Sequence, residues 1–236
     1  MRAMRIQDAM ALVTGGSSGI GFETARQLAK RGAKVAICGR DRAKVDRAAK
    51  EIGAVAFEAD VSMEDDVVGM VRGIIDRLGG YNVLINNAGF GIFKPLLETT
   101  VDDMRDVFAT NVFGAMIVAR ESARYFVQQR RGNIVNVAST AGQRGFAGGT
   151  AYVASKFALS GMTECWRAEL RKSDVRVMQI NPSEVQTEFF SVAGRERPLS
   201  ERKLRPLDIA QAILNMLEME DRALVTETTV WATNPD

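Results

Sequence analysis

The stretch MALVTGGSSGIG, Met10–Gly21, decides the fold. Met10 to Thr14 is a short apolar run halted by glycines, which is the pattern of a buried strand. A helical pattern follows the loop and runs to about Arg31. Strand, glycine turn and helix form the context in which a loop holds a diphosphate. Glycines let the backbone approach, and the helix N-terminus favours an anion. The spacing is Gly15-x-x-x-Gly19-x-Gly21, not the G-x-G-x-x-G of larger dehydrogenases. The plainer alternative is a tight turn packed with small residues; the flanks favour dinucleotide binding.

The same alternation continues outward from that stretch. Lys34–Cys38, Ala54–Glu58, Val83–Ile85, Ile134–Ala138 and Val175–Ile180 read as strands, and Ala223–Val225 with Thr228–Trp231 as the last one. Helices are expected over Arg42–Ile52, about Met63–Leu78, Thr99–Arg131, from Tyr152 to near Lys172, and over Pro206–Met219. Strands alternating with helices predict an α/β fold, a doubly wound parallel sheet in a single domain over 1–236. The irregular, basic segment at about 188–205 reads as a mobile lid.

A second stretch carries the chemistry: STAGQRGFAGGTAYVASK, Ser139–Lys156. Ser139 closes an apolar run, and Tyr152 and Lys156 share one face where the pattern turns helical. A phenol alone is a poor acid-base group at neutral pH. A fixed cation beside it lowers its pKa toward the working range. The trio reads as a proton donor, its tuner and a holder of the substrate oxygen, which suits carbonyl reduction or alcohol oxidation.

At the end of the second strand, Arg40 stands where a dinucleotide fold meets the adenosine ribose. Arginine there suits a 2′-phosphate. Arg40 as a solvated charge is the alternative, and Asp41 caps the next helix. Asp60 either bonds an adenine amino group or closes a turn. Asn86 is either beside a ligand or a hydrogen-bond hub, and Asn111 is either a site residue or a helix kink.

Composition excludes other classes. The 236 residues contain no histidine, which removes a Ser-His-Asp hydrolase, a His-based dehydrogenase and most catalytic zinc sites. No metal is expected. With 31 basic and 29 acidic residues, the net charge of +2 gives no reason to expect nucleic acid as a partner. The N-terminus lacks an apolar signal region and no apolar run approaches eighteen residues, so a cytoplasmic protein without a membrane span is expected. Cys38 and Cys165 are expected as two buried free thiols.

Taken together, TGGSSGIG at 14–21, DV at 60–61, NNAG at 86–89, Asn111, Ser139, YVASK at 152–156 and Pro182 with Thr187 resemble the short-chain dehydrogenase/reductase family over nearly the whole chain. The resemblance is nearest to its 3-oxoacyl-thioester reductase and short-chain alcohol dehydrogenase branches. It implies a seven-stranded Rossmann fold that binds a nicotinamide cofactor, as a homodimer or homotetramer through two long helices. It implies Tyr152 as acid-base catalyst, Lys156 on the nicotinamide ribose, Ser139 on the substrate oxygen and Asn111 on a relay water. It implies Gly15, Ser17, Ser18, Gly19 and Ile20 at the pyrophosphate, and Asp60 and Val61 at the adenine. Asn87, Ala88 and Gly89 then line the cofactor crevice, with Pro182, Ser183, Val185 and Thr187 near the nicotinamide.

The chain departs from that family at several points, two of them beside the cofactor. Pro182-Ser183 replaces the usual Pro-Gly, and the glycine loop lacks the basic residue of many NADP-dependent members. NADP(H) preference therefore rests on Arg40, aided by Arg42, with NAD(H) as the alternative cofactor. Phe93, Gln143, Arg144, Phe146, Phe189 and Phe190 are candidates for the substrate side. The reading is an enzyme that moves a hydride between nicotinamide and a small carbonyl or secondary alcohol. The alternative is an NADP(H)-binding regulatory or scaffold protein without turnover.

Overall fold

A computed structural model describes residues 4–189 and 200–234. The strands are β1 (Met10–Thr14), β2 (Lys34–Gly39), β3 (Val55–Glu58), β4 (Val83–Asn86), β5 (Gly132–Val137), β6 (Val175–Pro182) and β7 (Glu227–Val230). The helices are α1 (Gly19–Lys30), α2 (Arg42–Ile52), α3 (Glu64–Leu78), α4 (Val101–Phe108), α5 (Ala115–Gln129), α6 (Thr150–Leu170) and α7 (Pro206–Leu217). They build one seven-stranded sheet in the order β3-β2-β1-β4-β5-β6-β7, parallel throughout.

Period-two alternation distributes the core. Ala11, Val13, Ile37, Ile85 and Val135 face α1, α2 and α7, where Ala25, Leu28, Val45, Ile209 and Ile213 meet them. Leu12, Ala36, Leu84 and Ile134 face the other way, onto Val67, Met70 and Ile74 of α3 and Val118 and Phe126 of α5. Both faces are covered, so the strands read as continuous apolar runs and each helix shows a single apolar stripe.

The strand order reverses between β1 and β4, because β2 and β3 lie to one side of β1 and the later strands to the other. Chain segments leaving the carboxyl ends there part in opposite directions and leave a crevice. Thr14 and Asn87 strap its floor: Thr14 Oγ1 accepts from the Asn87 and Ala88 amides at 2.9 Å each, and Asn87 Nδ2 donates to the Thr14 carbonyl at 2.9 Å.

Three sequence expectations change. The helix expected over Thr99–Arg131 is α4 and α5 joined by a π-helical turn, Ala109–Gly114. Gly114 packs there against Val61, where a Cβ would lie 2.8 Å from Val61 Cγ2. The last strand begins at Glu227, the first residue with a partner on β6, so Ala223–Val225 lies outside it. Cys38 is buried, but Cys165 is exposed on the outer face of α6. Among the described residues, no helix is long and apolar enough to cross a membrane.

Candidate active site

A cleft of about 1000 Å³ opens over the carboxyl ends of β1, β4, β5 and β6. The glycine loop forms one end. Gly15 and Gly19 hold left-handed φ values of 61° and 55°, which a side chain disfavours. A Cβ on Gly21 would lie 2.4 Å from the Gly15 carbonyl oxygen and 2.5 Å from Asn87 Nδ2, so only glycine lets the loop fold back onto α1. Ser18 is the N-cap residue of α1, and its side chain makes no cap hydrogen bond to the first turn. Ser17, Ser18, Gly19 and Ile20 line this end, so amides and helix dipole face the cleft. A diphosphate fits such a cradle, as the glycine spacing predicts.

Arg40 lines the cleft beyond the loop, together with Lys44 from the first turn of α2. Asp41 caps α2, its carboxylate accepting from the Lys44 amide at 2.9 Å. Arg42 does not join Arg40: its guanidinium donates to Asp46 at 2.6 Å, and it is not among the lining residues. Lys44 is the second cation instead, with its ammonium 3.0 Å from Glu188 across the mouth. A cation in the first turn of a helix opposes the helix dipole, and that placement was the signal available in sequence.

The end of β5, the helix α6 and the π-helical turn bring the catalytic candidates to the other end. Tyr152 lies in the first turn of α6, and Ser139 follows β5. The Ser139 hydroxyl accepts from the Ala141 amide at 3.1 Å and shares a hydrogen bond with the Tyr152 phenol. Lys156 is buried, and its ammonium donates to the Val137 carbonyl at 2.9 Å, 5.7 Å from the Tyr152 ring centre. The expected lowering of the phenol pKa is overturned in these surroundings. Burial pushes Tyr152 up to about 12, with the Ser139 bond opposing, and burial pushes Lys156 down to about 8. Desolvation outweighs the Ser139 bond, and the Lys156 ammonium is engaged by the Val137 carbonyl.

Asn111 sits in the π-helical turn, buried, with its amide spent on the chain. Its Nδ2 donates to the Phe90 carbonyl at 2.9 Å and to Ser155 Oγ at 3.0 Å, and its Oδ1 accepts from the Phe90 amide at 3.0 Å. Ser155 in turn donates to the Tyr152 carbonyl at 2.7 Å. Asn111 thus ties the Phe90 loop to α6. Asn86 is the hub of a buried chain, donating to the Ala115 carbonyl and to Asn136, which donates to Thr163.

Asn87, Ala88, Gly89, Pro182, Val185 and Thr187 line the cleft as expected, as do Phe93, Arg144, Phe146 and Phe189. Asp60, Val61, Ser183 and Gln143 are not among the lining residues. Asp60 closes a turn, its carboxylate accepting from the Ser62 amide and hydroxyl, and Val61 packs in the core. The Ser183 amide donates to the Val230 carbonyl at 2.9 Å, tying it to β7. Gln143 turns away from the substrate side to Glu227 at 2.6 Å, because the short turn after Ser139 aims it at the sheet edge. Phe190 and most of the expected lid lie outside the described residues. The part of the lid segment from Ser200 is packed rather than loose: Leu204 is buried, and Gln186 clamps both the amide and the carbonyl of Ser200.

The sequence model of the short chain dehydrogenase family matches residues 9–197. The chain belongs to that family. It is 35% identical over 218 residues to the 3-oxoacyl-[acyl-carrier-protein] reductase of Bos taurus, covering 89% of this chain and 92% of that one. It is 31% identical over 242 residues to the NADP-dependent 3-hydroxy acid dehydrogenase of Schizosaccharomyces pombe, covering 96% and 93%. Among solved structures, the 3-ketoacyl-(acyl-carrier-protein) reductase of Brucella melitensis complexed with NADH superposes with a TM-score of 0.85, at 29% identity over 95% of this chain and 97% of that one. This short-chain dehydrogenase is therefore an NAD(P)-dependent oxidoreductase acting on a small molecule that carries a CH–OH or C=O group.

Proposed function

We propose that this enzyme is an NADP(H)-preferring ketone reductase. One observation carries the reading: Ser139, Tyr152 and Lys156 converge at one end of a continuous cleft whose other end is the glycine cradle with Arg40 and Lys44. The nicotinamide cofactor supplies the hydride to the carbonyl carbon. Ser139 and Tyr152 hold the carbonyl oxygen, and the phenol proton passes to it. The C=O π bond opens, a C–H and an O–H bond form, and Tyr152 is left as phenolate for solvent to reprotonate. Burial holds the Tyr152 phenol protonated at neutral pH, the form that donates in the reductive direction.

Arg40 and Lys44 support NADP(H), since two cations beside the ribose pocket suit a 2′-phosphate. NAD(H) is the alternative, and the Brucella reductase holds NADH. Assembly as a homodimer or homotetramer in the cytoplasm is part of the same proposal. A groove between α5 and α6, lined by Met116, Ala123, Val127, Trp166 and Leu170 and by the charged Arg120, Arg124 and Glu169, offers a face for a second copy. Light scattering on the purified chain tests it, and a monomer at micromolar concentration rules that assembly out.

The decisive experiment follows NADPH and NADH consumption against a panel of ketones, with Tyr152→Phe as the blank. Removing the proton donor is expected to cut turnover by about 10²–10⁴-fold while cofactor affinity stays within about twofold. Turnover that survives the substitution sinks the role given to Tyr152.

A further inference from the structure

At the catalytic end of the cleft, two phenylalanines flank the Tyr152 ring, and a third, Phe146, packs on one of them. Phe93 lies 5.4 Å from it between ring centres and Phe189 lies 5.4 Å away on another side, inclined at 59° and 57°. Phe93 also meets Phe189 at 6.3 Å, nearly edge-on, and Phe146 at 6.1 Å. These separations lie in the range where aromatic pairs attract. The rings come from segments far apart in the chain, after β4, before α6 and after β6, so only the fold assembles them.

Two glycines seat them. A Cβ on Gly91 would lie 2.7 Å from the Phe93 ring and 3.2 Å from the Phe189 ring, and one on Gly149 would lie 2.7 Å from the Phe146 ring. The cations lining this end already have partners. The Arg144 guanidinium stacks 4.7 Å over Trp231, the Lys94 ammonium sits 2.7 Å from Asp103, and Lys156 bonds the Val137 carbonyl. Ring faces and edges therefore form much of the wall beside Tyr152, with the nearby positive charges engaged elsewhere.

We propose that the substrate is a neutral ketone carrying an aromatic ring directly on its carbonyl carbon, or the matching benzylic alcohol. The ring of the substrate packs against the cleft-facing side of the Phe93–Phe189 pair, and the carbonyl oxygen reaches Tyr152 and Ser139. This rests on the ketone-reductase reading above and adds the substrate class to it.

The test compares kcat/KM for acetophenone, 2-octanone and 3-oxooctanoate, each with the preferred cofactor. Acetophenone is expected to exceed both linear compounds by about tenfold or more, as one good aromatic contact supplies. Phe93→Ala should lower the ratio of acetophenone to 2-octanone by about tenfold, chiefly through KM. Gly91→Ala keeps Phe93 but pushes its ring aside, and should lower the same ratio. Equal or inverted preference between acetophenone and 2-octanone in the unaltered enzyme overturns the proposal, and so does a preference for 3-oxooctanoate, which would place the substrate carboxylate on Arg144. Absence of Tyr152-dependent turnover with every ketone overturns the reductase reading instead. In that case ligand-observed NMR of acetophenone with the cofactor-loaded chain decides the ring site separately. Binding lost in Phe93→Ala supports the site, and absence of binding to the unaltered chain ends it.

Discussion

The two ends of the cleft are built on different principles. The cofactor end is made of backbone: glycines in left-handed turns, helix amides and a strap between β1 and β4. The catalytic end is made of side chains from several loops, held by packing of rings and by the buried Asn111 and Lys156. Backbone sites tolerate little change because a Cβ has nowhere to go. Side-chain sites can be reshaped one residue at a time without loss of the fold. A shared cofactor and divergent substrates are the consequence that this division permits.

Gly21→Ala breaks the backbone end most directly, since the new Cβ meets the Gly15 carbonyl rather than a flexible side chain. Affinity for NADPH and NADH should fall together, on the order of 100-fold, with a stability loss of about 1–3 kcal/mol. Isothermal titration and thermal melts measure both. A variant that binds either cofactor normally contradicts the cradle.

Arg40→Asp probes the same end through charge instead of shape. NADPH affinity should drop by about 10–100-fold, as expected for a lost charged hydrogen bond, while NADH affinity changes little. Equal weakening of the two cofactors would move the 2′-phosphate site away from Arg40.

The smallest expected effect belongs to the catalytic end and is read by stability. Lys156 titrates near 8 in the folded chain against an ordinary value of 10.5. Between those values the unfolded chain binds more protons, so this residue makes stability rise with pH in that window; below it the full cost of burying the charge is present. The rise from pH 8 to 9.5 should be about 1–2 kcal/mol, and Lys156→Met should flatten it. Above pH 10 the phenols Tyr152 and Tyr81, both raised by burial, turn the slope downward. Urea midpoints across pH 8–9.5 supply the comparison. A slope identical in the variant would place the titration elsewhere.

Much of the cofactor end was legible in sequence because backbone constraints leave marks in residue type. Gly15, Gly19 and Gly21 are glycines for steric reasons, and a strand before and a helix after them are visible as periodicity. Lys44 escaped notice because its relation to Arg40 depends on how α2 leaves the sheet. At the catalytic end, residue types marked Tyr152 and Lys156, but the direction of the ammonium and the resulting pKa values were not readable. Gln143 shows the same limit: its residue type suits a substrate pocket, yet a short turn sends it to Glu227.

What the sequence by itself determined is therefore the order of strands and helices, the glycine cradle and the candidate trio Ser139, Tyr152 and Lys156. Each depends on local sterics or on spacing along one element. Tertiary structure alone decided the reversal between β1 and β4, the buried network around Asn86 and Asn111, the turn of Lys156 toward Val137, and the packing of Phe93 and Phe189 on Tyr152 with Phe146 on Phe93. Those features join residues distant in the chain, and the free energy that selects them comes from mutual packing and desolvation, which no single stretch contains.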